Sequence, residues 1–385
     1  MKKSMLVTTL FYAFITTKFI RKLKMTQKQP LQSLLLRLLT ITALCIMSTT
    51  YAVAENSKPT TAGTYLDRGV LFAGRGEYDM AIADFSEAIK LDPNFADAYN
   101  NRGEVYGVKG DFDRAIADYT QALKLNPNHA NAYNNRGYMY GVKGDYDRAI
   151  ADLNQAIKLN PNFALAYSNR GEVYGIKEDY DRAIADFSQA IKINPSDAVA
   201  YNGRGNAYAL KGDYDRAIAD YSQAIKLNPS DAVAYSNRGE VYGGKGDYDR
   251  AIADFSQAIK LNPNFALAYS NRGEVYGVKE DYDRAIADFS QAIKINPSDA
   301  VAYNGRGNAY ALKGDYDRAI ADYSQAIKLN PSDAVAYSNR GEVYGVKGDY
   351  DRAITDYSQA IKIDPNFSLA KQSLEEAKEA KKKAR

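Results

Sequence analysis

Residues 96–129 read ADAYNNRGEVYGVKGDFDRAIADYTQALKLNPNH. In the first half, Ala98, Tyr99, Arg102, Gly103, Tyr106 and Val108 recur at helical intervals. In the second half Ala115, Ile116, Tyr119, Ala122, Leu123 and Leu125 do the same. Spacings of three, four and seven mark two amphipathic helices. Lys109-Gly110-Asp111 separates them: glycine ends the first helix and Asp111 is suited to cap the second. Pro127 cannot continue a helix, and Asn128 stands where it could cap the next one. The stretch therefore predicts a helix-turn-helix hairpin with about a dozen residues per helix.

The same unit returns every 34 residues. Its prolines are Pro93, Pro127, Pro161, Pro195, Pro229, Pro263, Pro297, Pro331 and Pro365. Its glycines are Gly69, Gly103, Gly137, Gly171, Gly205, Gly239, Gly273, Gly307 and Gly341. There are nine copies, and with Ala62 as position 1 of the first repeat the glycine is position 8 and the proline position 32. A fixed period of this length marks a stacked repeat protein. Positions 20 and 27 are alanine in all nine copies, as at Ala217 and Ala224, which predicts close helix crossing. Ala198–Asp231 and Ala300–Asp333 are identical, and the repeats before them differ only at Ile176 and Val278, a sign of internal duplication.

An aromatic at position 4, Gly at 8, Tyr at 11 (Phe72 in the first repeat), Ala at 20, an aromatic at 24 (Leu153 in the third), Ala at 27 and Pro at 32 together resemble the tetratricopeptide repeat (TPR) family over residues 62–367. The resemblance implies an all-α, right-handed superhelical solenoid of nine hairpins, with residues 368–385 as a C-terminal capping helix whose polar face closes the open end. Position 7, usually Leu in the family, is Arg here from Arg68 to Arg340. A salt bridge to an Asp of the second helix, such as Arg102 with Asp118, is the expected use.

The resemblance also implies a binding groove lined by positions 2, 5, 6, 9, 12 and 13 of the first helices. Carried over, position 6 gives Asn101, Asn135, Asn169, Asn237, Asn271 and Asn339, interrupted by Gly203 and Gly305. Position 9 gives Glu104, Glu172, Glu240, Glu274 and Glu342. An amide both donates and accepts, so an asparagine row suits an extended peptide backbone. The glutamates favour a neutral or basic partner. The family's carboxylate clamp needs Lys or Arg at positions 2, 5 and 6, whereas Leu165, Val199, Val233, Leu267, Val301 and Val335 occupy position 2.

The first 54 residues carry eight basic side chains and no acidic one before Glu55. An apolar run from Leu38 to Thr50 ends in Ala52-Val53-Ala54. Basic start, apolar core and Ala-x-Ala site are the parts of a secretory signal peptide, expected to be cleaved after Ala54. Met25 to Ala54 alone would make a well-proportioned signal, so translation is expected to start at either Met1 or Met25. Cys45 lies inside this leader and no other cysteine exists. Residues 55–61 read as a linker. Removing the eight leader charges from a formal +3 leaves −5, which argues against general nucleic-acid binding.

Chemistry is sparse. His129 is the sole histidine and is expected to be a solvated turn residue. With one histidine, and a cysteine only in the leader, neither a Ser-His-Asp or Cys-His set nor a zinc site of His and Cys can be assembled. Gly239-x-x-x-x-Gly244-Lys245 imitates a phosphate loop but continues with Gly246 and follows no strand. Asp247-Tyr248-Asp249 has only the first spacing of a calcium loop and reads better as a helix cap. Most tyrosines fall at positions 4, 11, 17 and 24 and are expected to pack. The expectation is a non-enzymatic, exported scaffold without cofactor or metal. It would bind a protein or peptide in its groove and meet the membrane only through its signal segment. A glycan-binding protein or a secreted factor acting on another cell are the alternatives.

Overall fold

The computed structural model describes residues 59–384; the expected signal peptide lies outside the described residues. Among the described residues the chain is nineteen α-helices with no strand. They fall into two units, divided between Leu227 and Asn228. The first holds five hairpins: α1 Ala62–Gly74 with α2 Tyr78–Leu91, α3 Ala96–Val108 with α4 Phe112–Leu125, α5 Ala130–Val142 with α6 Tyr146–Leu159, α7 Ala164–Ile176 with α8 Tyr180–Ile193, and α9 Ala198–Leu210 with α10 Tyr214–Leu227. The second holds four more and a last helix: α11 Ala232–Gly244 with α12 Tyr248–Leu261, α13 Ala266–Val278 with α14 Tyr282–Ile295, α15 Ala300–Leu312 with α16 Tyr316–Leu329, α17 Ala334–Val346 with α18 Tyr350–Ile363, and α19 Ser368–Lys383.

Each hairpin closes on small residues. The alanines at positions 20 and 27 are fully buried in every repeat. Gly103 shows why position 8 has no side chain: a Cβ there would lie 3.0 Å from the Tyr119 ring and 3.1 Å from the Ala115 carbonyl oxygen. The position-24 side chain, from Phe85 to Tyr357, is buried against that glycine. Within each unit the second helix of a repeat packs on the first helix of the next, and successive first helices also touch one another. First helices therefore line the inner side of each stack.

Caps follow the unit with two corrections. Asp111 and its equivalents accept a hydrogen bond from the backbone N–H three residues on, as from Arg114 at 3.2 Å, and so cap the second helix. The first helix is capped one residue later than expected. His129, not Asn128, precedes α5 and accepts from the Ala132 N–H at 3.3 Å, while its Nε2 lies 3.0 Å from Asp97. His129 is thus a structural joint between two repeats rather than a solvated turn residue. Asp197, Asp231, Asp299 and Asp333 cap the corresponding helices later in the chain.

The helix α19 begins 34 residues after Ala334 and is a tenth first helix, with no second helix after it among the described residues. Ala370 and Ala377 fill positions 3 and 10 and are buried against α18. Leu374 stands where the other repeats have arginine. Lys381 does more than face a helix dipole: it pairs with Asp351 of the preceding repeat. Seven of the earlier junctions have the same pairing, as in Lys109 with Asp79 at 2.8 Å.

The turn within each hairpin uses a left-handed residue, Gly110 at φ 81° being typical. Repeats 4 and 7 place Glu178 (φ 61°) and Glu280 (φ 60°) there instead. A side chain in this region is strained by roughly 1–2 kcal/mol. Glu280→Gly is expected to stabilise the chain by about 0.5–1 kcal/mol after allowing for glycine's freer unfolded state, read as a higher Tm in thermal unfolding. A lower Tm would show that the Glu280 side chain makes up for its strain.

Candidate functional site

Position 7 is engaged inside the fold. All nine arginines form a two-pronged fork on the position-23 aspartate of their own repeat. Arg204 is representative, with Nε to Asp220 Oδ2 and an Nη to Oδ1 both at 2.8 Å. The remaining nitrogen reaches back to position 25 of the preceding repeat, as Arg204 does to Ser188 Oγ at 3.0 Å and Arg170 to Asn154 Oδ1 at 2.5 Å. The expected Arg102–Asp118 bridge is present at 2.8 Å. Aromatic rings at positions 4 and 11, tyrosines except for Phe72, flank each guanidinium: Arg102 lies 5.6 Å from the Tyr99 ring centre and 5.9 Å from that of Tyr106. Arg114 covers Tyr106 at 4.5 Å. Tyrosines at positions 4 and 11 are therefore partners of arginine rather than plain core residues, a role visible in the sequence only once Arg at position 7 is placed between them.

The asparagine row is largely turned to internal use. Asn135, Asn169, Asn237, Asn271 and Asn339 are buried, and only Asn101 is half-exposed. Three of their amide nitrogens reach the neighbouring repeat: Asn135 Nδ2 donates to Asn100 Oδ1 (3.4 Å), Asn169 Nδ2 to Asn134 Oδ1 (2.9 Å) and Asn339 Nδ2 to Asn304 Oδ1 (3.2 Å), while Asn101 and Asn135 accept from the residue before them in their own helix. The picture of six amides free to meet a peptide is corrected accordingly. They lie on the predicted face, but the close packing of first helices covers them. Asn206 and Asn308, at position 9, accept from Tyr221 and Tyr323 at 2.8 Å.

In the glutamate row, Glu172 has a buried Oε2 without a hydrogen-bond partner. Glu240 is buried, and Glu104, Glu172, Glu274 and Glu342 are half-buried. Burial pushes the carboxyls of Glu104, Glu172 and Glu342 up to about 7, with the charge of Asp197 adding to the effect at Glu172. The open part of the inner face is completed by position 2, where Val233 is 46% exposed.

The motif imitations are resolved by helices. Gly239 to Gly244 lies within α11, so no loop is there to cradle a phosphate. Asp247 caps α12, and Asp249 pairs with Lys279 at 2.6 Å. Among the described residues no group of acidic or imidazole side chains converges as a metal site, and no helix is long and apolar enough to cross a membrane.

Tetratricopeptide repeat models match residues 96–129, 130–163, 164–197, 232–265, 266–299 and 334–367, with related repeat models matching 69–107, 205–246, 307–345, 187–219 and 289–321. The chain belongs to the tetratricopeptide repeat family. Among solved structures, this TPR chain is similar to one in the crystal structure of the APC/C hetero-tetramer Cut9-Hcn1, at 20% identity and TM-score 0.56, covering 82% of this chain and 76% of that one. It is also similar to a tetratricopeptide repeat protein from Parabacteroides merdae ATCC 43184, at 22% identity and TM-score 0.52, covering 64% of this chain and 98% of that one. These likenesses support the fold alone. No curated protein matches the chain in sequence.

Two outcomes test the electrostatics. Asp220→Asn removes one arm of a mostly buried fork and is expected to cost about 2–4 kcal/mol, whereas Asp181→Asn, which breaks an exposed pair with Lys211, is expected to cost under about 1 kcal/mol; denaturant unfolding measures both. For the glutamates the folded chain holds protons that the unfolded chain releases above the ordinary carboxyl value of 4.5. Stability therefore falls as pH rises from there through about 7. Glu172→Gln should match the native chain near pH 5 and exceed it in Tm at pH 8; identical pH profiles would refute the burial effect.

Proposed function

We propose that this TPR chain is an exported, non-enzymatic scaffold that holds peptide segments or partner proteins along the inner face of its first helices. The observation that carries this reading is how closely that face is tied together. Arg–Asp forks join the two helices of every repeat, and most arginines also reach the repeat before, so the receptor loses little freedom on binding. A regular, preformed row of helix faces offers multi-point contact, the mode by which grooves take extended or helical segments. The two neighbouring structures that share the fold support the architecture of such a scaffold and leave its partner open. Sugar stacking is less favoured, because guanidinium groups already lie over tyrosine faces such as those of Tyr106 and Tyr140.

Export rests on the leader alone: eight basic residues, the apolar run Leu38–Thr50 and Ala52-Val53-Ala54. The envelope is the compartment this reading assigns.

The test is expression of a C-terminally tagged chain in its own host. N-terminal sequencing of the product is expected to begin at Glu55. Mass spectrometry of co-purifying material is expected to find a protein that is lost from Val233→Asp/Val335→Asp, a variant that puts charge at position 2 of two first helices. An uncleaved N-terminus would remove the export reading. Equal recovery from native and variant chains would remove the groove.

A further inference from the structure

The amide ladder has two missing rungs. At three junctions position 6 of one repeat donates to position 5 of the repeat before: Asn135 to Asn100, Asn169 to Asn134 and Asn339 to Asn304. Repeats 5 and 8 have Gly203 and Gly305 at position 6. A Cβ at either would lie 2.5 Å from the ring of Phe187 or Phe289, so packing requires glycine. The glycine also takes away the amide that would have served position 5 of repeats 4 and 7.

Position 5 there is Ser168, 2% exposed, and Ser270, 1% exposed, and both hydroxyl oxygens are buried with no hydrogen-bond partner. In repeat 4 the deficit is wider: Asn169, 1% exposed, has a free Oδ1, and Glu172 has a buried Oε2 with no partner. These three oxygens belong to residues i, i+1 and i+4 of α7, and residues four apart share a helix face. Buried polar atoms in folded proteins are normally satisfied, so a cluster of three open acceptors calls for a donor group.

The surroundings favour a cation. Asp197, the cap of α9, acts on Glu172 from the next repeat, and the buried phenol of Tyr138 faces Glu172 from the repeat before. The aspartates at position 23 of every repeat have an arginine in the chain, whereas Glu172 has no basic partner among the described residues. A primary ammonium presents three donors and no acceptor, and so answers three acceptor oxygens.

We propose that Ser168, Asn169 and Glu172 form a receptor for a primary ammonium group, such as a lysine side chain of a bound segment. The duplicated repeat 7 has the same residue types at Ser270, Asn271 and Glu274, of which the Ser270 hydroxyl is open, and its residues are replaced together with those of repeat 4 in the test. The proposal rests on the scaffold reading for the source of the lysine, and specifies the chemistry that scaffold selects.

The test is calorimetric titration of the full chain with octalysine at pH 8 and physiological salt, beside octalysine acetylated on every side chain. The native chain is expected to bind the first and not the second. Glu172→Gln/Glu274→Gln should weaken binding by about tenfold. Glu375→Gln/Glu376→Gln, which removes the same charge from exposed positions on α19, should change it by less than about twofold. Ser168→Ala/Ser270→Ala provides a second, uncharged deletion that should also weaken binding, with melting curves confirming that each variant folds. Absence of octalysine binding, or equal losses from the groove and α19 variants, would overturn the proposal. A host protein captured by the native chain and kept by Glu172→Gln/Glu274→Gln would overturn the ammonium site and leave the scaffold standing. Selective octalysine binding with no captured protein would do the reverse.

Discussion

The Arg–Asp fork at positions 7 and 23 is the interaction on which the rest of each stack depends. Helix crossing at Gly and Ala sets the distance between the two helices of a hairpin, but small residues alone specify no rotation or axial register. A planar guanidinium held at 2.7 Å on both carboxylate oxygens does, as at Arg68 with Asp84. The third contact, from Arg204 to Ser188 or Arg272 to Ser256, extends that register to the preceding repeat. The family's usual leucine at this position would bury more apolar surface. The ion pair makes each junction geometrically specific instead, which matters in a chain whose repeats are nearly interchangeable and therefore prone to pair out of register.

Much of this was legible in the sequence because it is local. Helical spacing, the Gly at position 8, the Asp at position 16 and the Pro at position 32 act within a few residues of one another, and the structure places all nine hairpins where they predict. The Arg102–Asp118 bridge was also readable, since a 16-residue separation spans one hairpin. What escaped were contacts between repeats. Asn169 reaches Asn134 across 35 residues, so whether an amide faces a ligand or a neighbouring helix is decided by how closely successive first helices approach. Amphipathic period names the inner face and leaves open how much of it the next repeat covers. The role of His129 escaped for the same reason: its partner Asp97 lies one repeat away.

The cap shows how far the repeat rule carries. The helix α19 keeps the alanine of position 3, an apolar residue at position 10 and the lysine of position 14, and so docks like any first helix. It lacks the arginine of position 7, and among the described residues no second helix follows to supply the matching aspartate. Leu374 at that position is the expected substitution when a fork loses its other half: a lone guanidinium would be half-buried beside α18 without a carboxylate, at the cost of an unpaired charge. The departure from the repeat thus follows from the constraint that governs the repeats themselves.

The same reasoning separates structural from open polar groups on the inner face. Every aspartate at position 23 is held by an arginine, and amides of positions 5 and 6 link repeats 2 to 4 and repeats 8 and 9, as Asn169 and Asn134 do. Gly203 and Gly305 break that pattern because Phe187 and Phe289 fill the space a side chain would need. The consequence, buried Ser168 and Ser270 hydroxyls without partners, occurs at equivalent places in the two duplicated blocks. Those blocks also share the strained Glu178 and Glu280 turns. A fold selected for stability alone would close these gaps with an asparagine beside a smaller position-24 residue such as Leu153, a residue the third repeat already uses. Retaining phenylalanine, glycine and an unpartnered serine together leaves a polar gap in each block, and in repeat 4 the open oxygens of Asn169 and Glu172 widen it into the recess that a binding site requires.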